Sequence, residues 1–143
     1  MLVDESKNYK EYTIHYSWHI IRKEWVISAL DIMAVVIGKT ERTKVRYQWN
    51  KLKKARLIEE DDSYSVYRMA DAKGIERLTE VVTVWQAIKL INITDIAVEE
   101  QFIEWLMSLN EEFQERAKTL PSLDELFHSN NSWEREFIKN FEE

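Results

Sequence analysis

The spacing of apolar side chains divides the chain into segments of different period. Between Tyr12 and Arg22, aromatic and aliphatic residues are mixed (Tyr12, Ile14, Tyr16, Trp18, Ile20, Ile21). The segment is read as a helix, although its opening alternation fits a strand equally well. Trp25-Val26-Ile27 is a short β-prone patch, and Ser28 then stands three residues before Asp31, the spacing of a helix N-cap box. Beyond it Leu30, Met33, Ala34 and Ile37 recur at helical spacing, and Gly38 supplies the residue that tolerates the left-handed conformation ending a helix. A short amphipathic helix over 29–37 is predicted.

Thr40 or Thr43 is placed to cap a second helix, in which Val45, Trp49 and Leu52 face the core with the Arg56 stem alongside. Its opposite side carries Thr43, Arg46, Tyr47, Asn50, Lys51 and Lys54, flanked by Lys44 and Lys53. Leu57-Ile58-Glu59 and the alternating run Tyr64-Ser65-Val66-Tyr67-Arg68-Met69 predict two antiparallel strands joined by the acidic turn Glu60-Asp61-Asp62-Ser63. Asp71 opens a long helical pattern through Ile75, Leu78, Val81, Val82, Val84, Trp85, Ile88 and Ile91. So wide a stripe needs a cover, from C-terminal helices or a second subunit. Thr94 is read as the cap of a further helix to about Lys118, stopped by Pro121. Two short helices follow from Ser122 and Ser132, the last with Trp133, Phe137, Ile138 and Phe141 on one face.

A short helix, a turn, a basic helix, two strands with a charged turn and a long helix follow the plan of a winged helix. The run NKLKKARLIEEDDSYSVYRMADAKGIERL resembles a stretch of MarR-like and PadR-like transcriptional regulators. There a recognition helix leads into Gly-Leu-Ile, a polar wing, a Tyr-rich strand and a Thr-x-x-Gly start to the next helix. The resemblance covers about residues 28–80. It implies a mainly α fold with a small β-hairpin wing: a winged helix-turn-helix domain at 12–92 and a C-terminal helical extension at 93–143 for dimerisation or partner binding.

Composition agrees with an ordered chain. Its 143 residues are enough for one core, and two Gly and one Pro against 45% hydrophobic and 32% charged residues leave few irregular loops. Only the first handful of residues is expected outside the fold. With no cysteine, neither a disulfide framework nor a thiolate metal site is available. Apolar runs such as Ile32 to Ile37 fall far short of the roughly 20 residues that span a bilayer. The N-terminal MLVDESKNYK lacks the basic start and apolar core of a secretory signal. A cytoplasmic location without a membrane partner is expected.

Charge changes the picture more. The net charge is −6, yet residues 1–80 hold 15 Lys or Arg against 13 Asp or Glu, and residues 81–143 hold 5 against 13. Cations gather on the second helix, where an α-helix can enter the major groove of duplex DNA. Arg46, Tyr47 and Asn50 are the candidates for base readout, with Thr43 on the same face. Lys44, Lys51, Lys53 and Lys54 are candidates for phosphate contact, assisted by Lys39 and Arg42 in the preceding turn, and Arg68 on the second wing strand for the flanking backbone. Sequence-specific binding of double-stranded DNA by a homodimeric regulator is the leading expectation. Glu59, Glu60, Asp61 and Asp62 oppose it, by placing negative charge on the wing. The alternative is a protein-interaction module, an inhibitor or assembly factor docking on a basic partner through its acidic wing and acidic C-terminal third.

Other chemistry is thinly represented. His15 and His19 are four apart, a metal-ligand spacing, but no third ligand stands near them in sequence. Glu99, Glu100 and Glu104 form an acidic face without the Glu-x-x-His spacing of carboxylate metal bundles. Gly-rich phosphate loop, nucleophile elbow and Cys-His pair are all missing from the sequence. No enzyme, metal or cofactor is expected.

Overall fold

In the computed structural model, which describes residues 2–19, 22–55, 59–60, 64–70, 74–94, 98 and 100–119, the aromatic N-terminal segment is a strand. β1 (Leu2–Tyr9) and β2 (Tyr12–His19) form a hairpin in continuous register from Leu2↔His19 to Tyr9↔Tyr12. Lys10, in the two-residue connection, has φ 54°, the positive value that tight hairpin loops favour. Ile14, Tyr16 and Trp18 are buried at alternate positions of β2. The helical reading of 12–22 is therefore corrected. β2 lies between β1 and β3, and two neighbouring strands give its aromatic side chains the pleated surface on which they pack best.

β3 (Glu24–Ser28) runs directly into α1 (Ala29–Ile37), which begins and ends where the sequence indicates. The Asp31 N–H donates to Ser28 Oγ at 3.4 Å, and Gly38 sits at φ 69° with its N–H bonded back into the last turn. α2 (Arg42–Lys54) buries Val45 and Trp49 completely and Leu52 in part, as its spacing predicts. Its N-cap is Glu41, whose side chain makes no capping bond, so neither Thr40 nor Thr43 serves. Arg56 lies outside the described residues.

The hairpin after α2 is shifted along the chain from its expected place. β4 (Ser65–Ala70) pairs with β5 (Glu76–Val82), from Ser65↔Val81 to Ala70↔Glu76. β5 thus occupies the segment read as the start of a long helix at Asp71. The helix α3 (Val84–Thr94) begins only after Thr83. Thr83 Oγ1 accepts the Gln86 N–H at 3.2 Å while the Thr83 N–H donates to Gln86 Oε1 at 2.9 Å, a reciprocal capping box. Thr94, read as the cap of the next helix, closes α3 by donating to the Ile91 carbonyl. α4 (Glu100–Ala117) follows. The expected strand at 57–58, the turn residues 61–63 and the short helices from Ser122 and Ser132 lie outside the described residues.

The strands form one antiparallel sheet in the order β1-β2-β3-β5-β4. A mainly α fold with a small β-hairpin wing is therefore overturned: a five-stranded sheet carries four helices among the described residues. The β1–β2 hairpin, absent from the expected plan, extends the sheet past β3. Apolar residues of all four helices join Ile14, Tyr16, Trp18, Trp25, Ile27 and Val82 in one core that runs from Tyr9 to Phe113. Full burial of an aliphatic or aromatic side chain contributes roughly 1.5–3 kcal/mol; Trp49, Phe102 and Leu106 are wholly inside. A smaller cluster of Val26, Met69 and Val81, with Tyr67 against it, forms separately. In β3 and β5 these residues alternate with the main-core positions, which puts them on the other face of the sheet. Cα atoms of the outer strands β1 and β4 come within 8 Å of each other, so the sheet curls.

Candidate nucleic-acid interface

α2 is the most strongly charged element described. Its 13 residues, RTKVRYQWNKLKK, contain six Lys or Arg and no carboxylate. Burial of Val45 and Trp49 fixes its rotation. Thr43, Tyr47 and Lys51 then form one solvent ridge at i, i+4 spacing and Arg46, Asn50 and Lys54 the next, and all six are exposed. From residue 46 to 54 the ridge is about 12 Å long, close to the roughly 12 Å width of the DNA major groove. Tyr47 is 64% exposed in the middle of this face.

Part-buried polar bonds hold the helix in place. At its start Arg42 Nη2 lies 2.9 Å from Asp31 Oδ1. The Asp31 carboxylate, 5% exposed, also accepts the His15 backbone N–H at 2.9 Å, with His15 Nδ1 at 2.9 Å from the same oxygen. One carboxylate thus ties α1, β2 and the first turn of α2. Toward its end, Trp49 Nε1 donates to Glu80 Oε2 at 2.5 Å and Lys53 Nζ to the same oxygen at 2.8 Å. The Lys53 ammonium also stands over the Trp49 and Tyr64 rings, 5.8 and 5.9 Å from their centroids.

The predicted site residues therefore divide. Arg46, Tyr47, Asn50, Lys51, Lys54 and Thr43 share the open face. Lys44 is exposed beside Glu41, Nζ to Oε2 3.5 Å. Arg42 is half-exposed but bonded to Asp31, and Lys53, 27% exposed, is bonded to Glu80. Arg68 is exposed on β4 opposite Leu78 in the ladder. Asp31, Glu80 and the anchoring role of Lys53 were not foreseen. SALD pointed to the Asp31 backbone, but nothing local pointed to its carboxylate's distant partners.

The acidic residues also sit elsewhere than expected. The β4–β5 connection spans 71–75, whereas Glu59 and Glu60 precede β4, between it and α2. The exposed part of the hairpin carries Arg68, Glu76 and Arg77 with Ile75, Leu78 and Val66. Its distal end is therefore not the Glu-Asp cluster.

His15 and His19 share a strand and have separate partners. His19 packs on the Tyr67 ring at 4.2 Å between centroids, and its Nδ1 accepts the Arg22 N–H. Burial holds the His19 pKa below the ordinary imidazole value, opposed by the nearby Glu24 carboxylate. Among the described residues no group of three or more His, Cys, Asp or Glu comes together as a metal site, and no helix is long and apolar enough to cross a membrane. Compared with known proteins, the chain matches no family model, no curated sequence and no solved structure.

Proposed function

We propose that this chain binds double-stranded DNA through the outer face of α2 and acts as a transcriptional regulator. The carrying observation is that helix itself: six cations without a carboxylate, two parallel exposed ridges, and donors suited to phosphate and base edges. The succession β3, α1, α2 and a hairpin supports the reading, because strand, two helices and wing follow one another in a winged helix. Glu59 and Glu60 precede β4 and so stand off the β4–β5 connection. Pairing of two copies belongs to the same reading, since two-fold DNA sites are read by two-fold proteins.

The test is fluorescence anisotropy with a labelled duplex from the chain's own upstream region, at two salt concentrations. About four phosphate contacts give a slope near −4 in log affinity against log salt. Replacing Arg46, Lys51 and Lys54 together with Ala should weaken binding at least tenfold and flatten that slope, with the thermal midpoint unchanged. Lys53→Ala should lower stability more than affinity. A triple variant that binds as tightly as the native chain sinks the assignment of α2.

A second reading, docking on a basic protein partner, draws on α4, whose exposed positions include Glu100, Glu104, Glu111 and Glu115. Lack of DNA binding at low salt, with a basic protein retained by the native chain and released by Glu104→Lys, would favour it.

A further inference from the structure

Two exposed apolar side chains stand in the middle of charged helix faces. Tyr47 is 64% exposed on α2, and Met107 is 40% exposed on α4. On α4, Glu100, Glu104, Met107, Glu111 and Glu115 recur at spacings of four and three and are all exposed. They form one acidic stripe about 22 Å long with Met107 near its centre. On α2, Lys44 stands three residues before Tyr47, and Lys51 and Lys54 stand four and seven after it, so these cations share the side of the helix that Tyr47 occupies. The two faces have one plan and opposite charge.

Their spacings also match. Glu104 and Glu100 precede Met107 by three and seven residues, and Glu111 follows it by four. A near-antiparallel crossing that sets the Tyr47 ring on the Met107 thioether, a favourable contact in itself, therefore brings Lys51 opposite Glu104, Lys54 opposite Glu100 and Lys44 opposite Glu111. Each pair is then offset by no more than one residue's rise, about 1.5 Å. Within one copy these charges are little used. Among the described residues Lys51, Lys54, Glu100, Glu104 and Glu111 make no ion pair, and Lys44 has only the exposed Glu41, at 3.5 Å. Both faces point to solvent on the same copy, so the partner of each is a second copy. Such a contact is heterologous: it leaves one α2 and one α4 face free, and the assembly continues.

We propose that copies of this chain assemble head to tail, the cationic face of α2 on one copy docking on the Met107 stripe of α4 on the next. The same α2 face is the one proposed to contact DNA, so assembled copies are withheld from the duplex. That consequence alone rests on the DNA reading, and the assembly is tested without DNA. Sedimentation velocity of the full chain at low salt should show association that grows with concentration, with a Kd on the order of 100 µM, as a small contact allows. At about 0.5 M salt, where exposed charges are screened, the association should be lost. Lys44→Glu with Lys51→Glu, and separately Glu104→Lys with Glu111→Lys, should each weaken it at least tenfold, because like charges then face each other. An equal mixture of the two variants should associate again, since each keeps the face that the other has lost, and this arm also reports that both are folded. An assembly that either reversal leaves unchanged, or a mixture that stays monomeric, overturns the pairing of α2 with α4. A native chain that remains monomeric at low salt up to about ten times that Kd overturns the proposal outright, and assemblies that bind duplex without dispersing overturn the shielding.

Discussion

α2 and α4 both cover the main core with an apolar side, yet they differ in charge and in how they are attached. α2 is cationic throughout and held by part-buried polar links to two carboxylates: Arg42 to Asp31, and Trp49 and Lys53 to Glu80. α4 is acidic along its exposed side and held by rings, with Phe102 against Tyr9 at 4.8 Å and Phe113 against both Tyr16 and Trp25. Its ion pairs to β1, Arg116 with Glu5 and Lys7 with Glu112, are partly exposed. The Glu5 hydrogen bond raises the Arg116 pKa, and burial raises that of Tyr16 beside it. Packed apolar residues fix the rotation of both helices, and in α2 hydrogen bonds to Asp31 and Glu80 add directional anchors. The helix proposed to read a duplex is the one tied near both ends to carboxylates of other elements.

The sharpest way to break this contrast is to remove one anchor of each type. Phe102→Ala empties a site with no exposure and should cost about 3–5 kcal/mol, measured by urea denaturation. Asp31→Ala should cost less, about 2–3 kcal/mol, because it orphans the His15 N–H and frees Arg42. It should also weaken DNA binding beyond what the lost stability explains, whereas Phe102→Ala, studied where it is still folded, should leave affinity unchanged. Equal effects on affinity would show that the anchor type does not matter.

Charge offers a gentler probe. Replacing Glu104, Glu111 and Glu115 with Lys should raise DNA affinity only about threefold at low salt, with the gain lost as salt rises, because charges remote from the contact act mainly through long-range attraction. A gain comparable to the loss from the α2 triple variant would mean that net charge, and not the α2 face, governs binding. The smallest expected effect concerns pH. With its folded pKa depressed, the neutral His19 contributes stability that is present above the ordinary imidazole value of 6.5 and fades as pH falls below it toward the folded value. Between pH 7 and about pH 5 the thermal midpoint should therefore fall further for the native chain than for His19→Tyr, which keeps an aromatic ring against Tyr67.

Where local signals and packing agree, the elements were legible. α1 follows from Ser28, Asp31 and Gly38, and α2 from Val45, Trp49 and Leu52. β5 was hidden because half of it is exposed. Of Glu76, Leu78, Glu80 and Val82 on one face, only Val82 is buried, so no period of two stands out, while Ile75, Leu78 and Val82 happen to lie three and four apart. Thr83 and Gln86, in the capping-box spacing, carried the local signal for the true helix start. The exposed cations of α2 were readable from periodicity. That Arg42 and Lys53 would be tied down was not, because their partners come from α1 and from β5.

The β3–β5 junction has a consequence for how the chain acquires this fold. Among the described residues only Ile27↔Val82 and Ser28↔Val81 join the two hairpins through backbone pairing, and the intervening chain contains both α1 and α2. The β1–β2 and β4–β5 hairpins need only short loops and can form early, whereas the junction must wait for closure of a long one. Docking of α1 against β2, β3 and β5 lowers that entropic barrier, so Asp31, which ties α1 to β2, also favours rapid completion of the sheet.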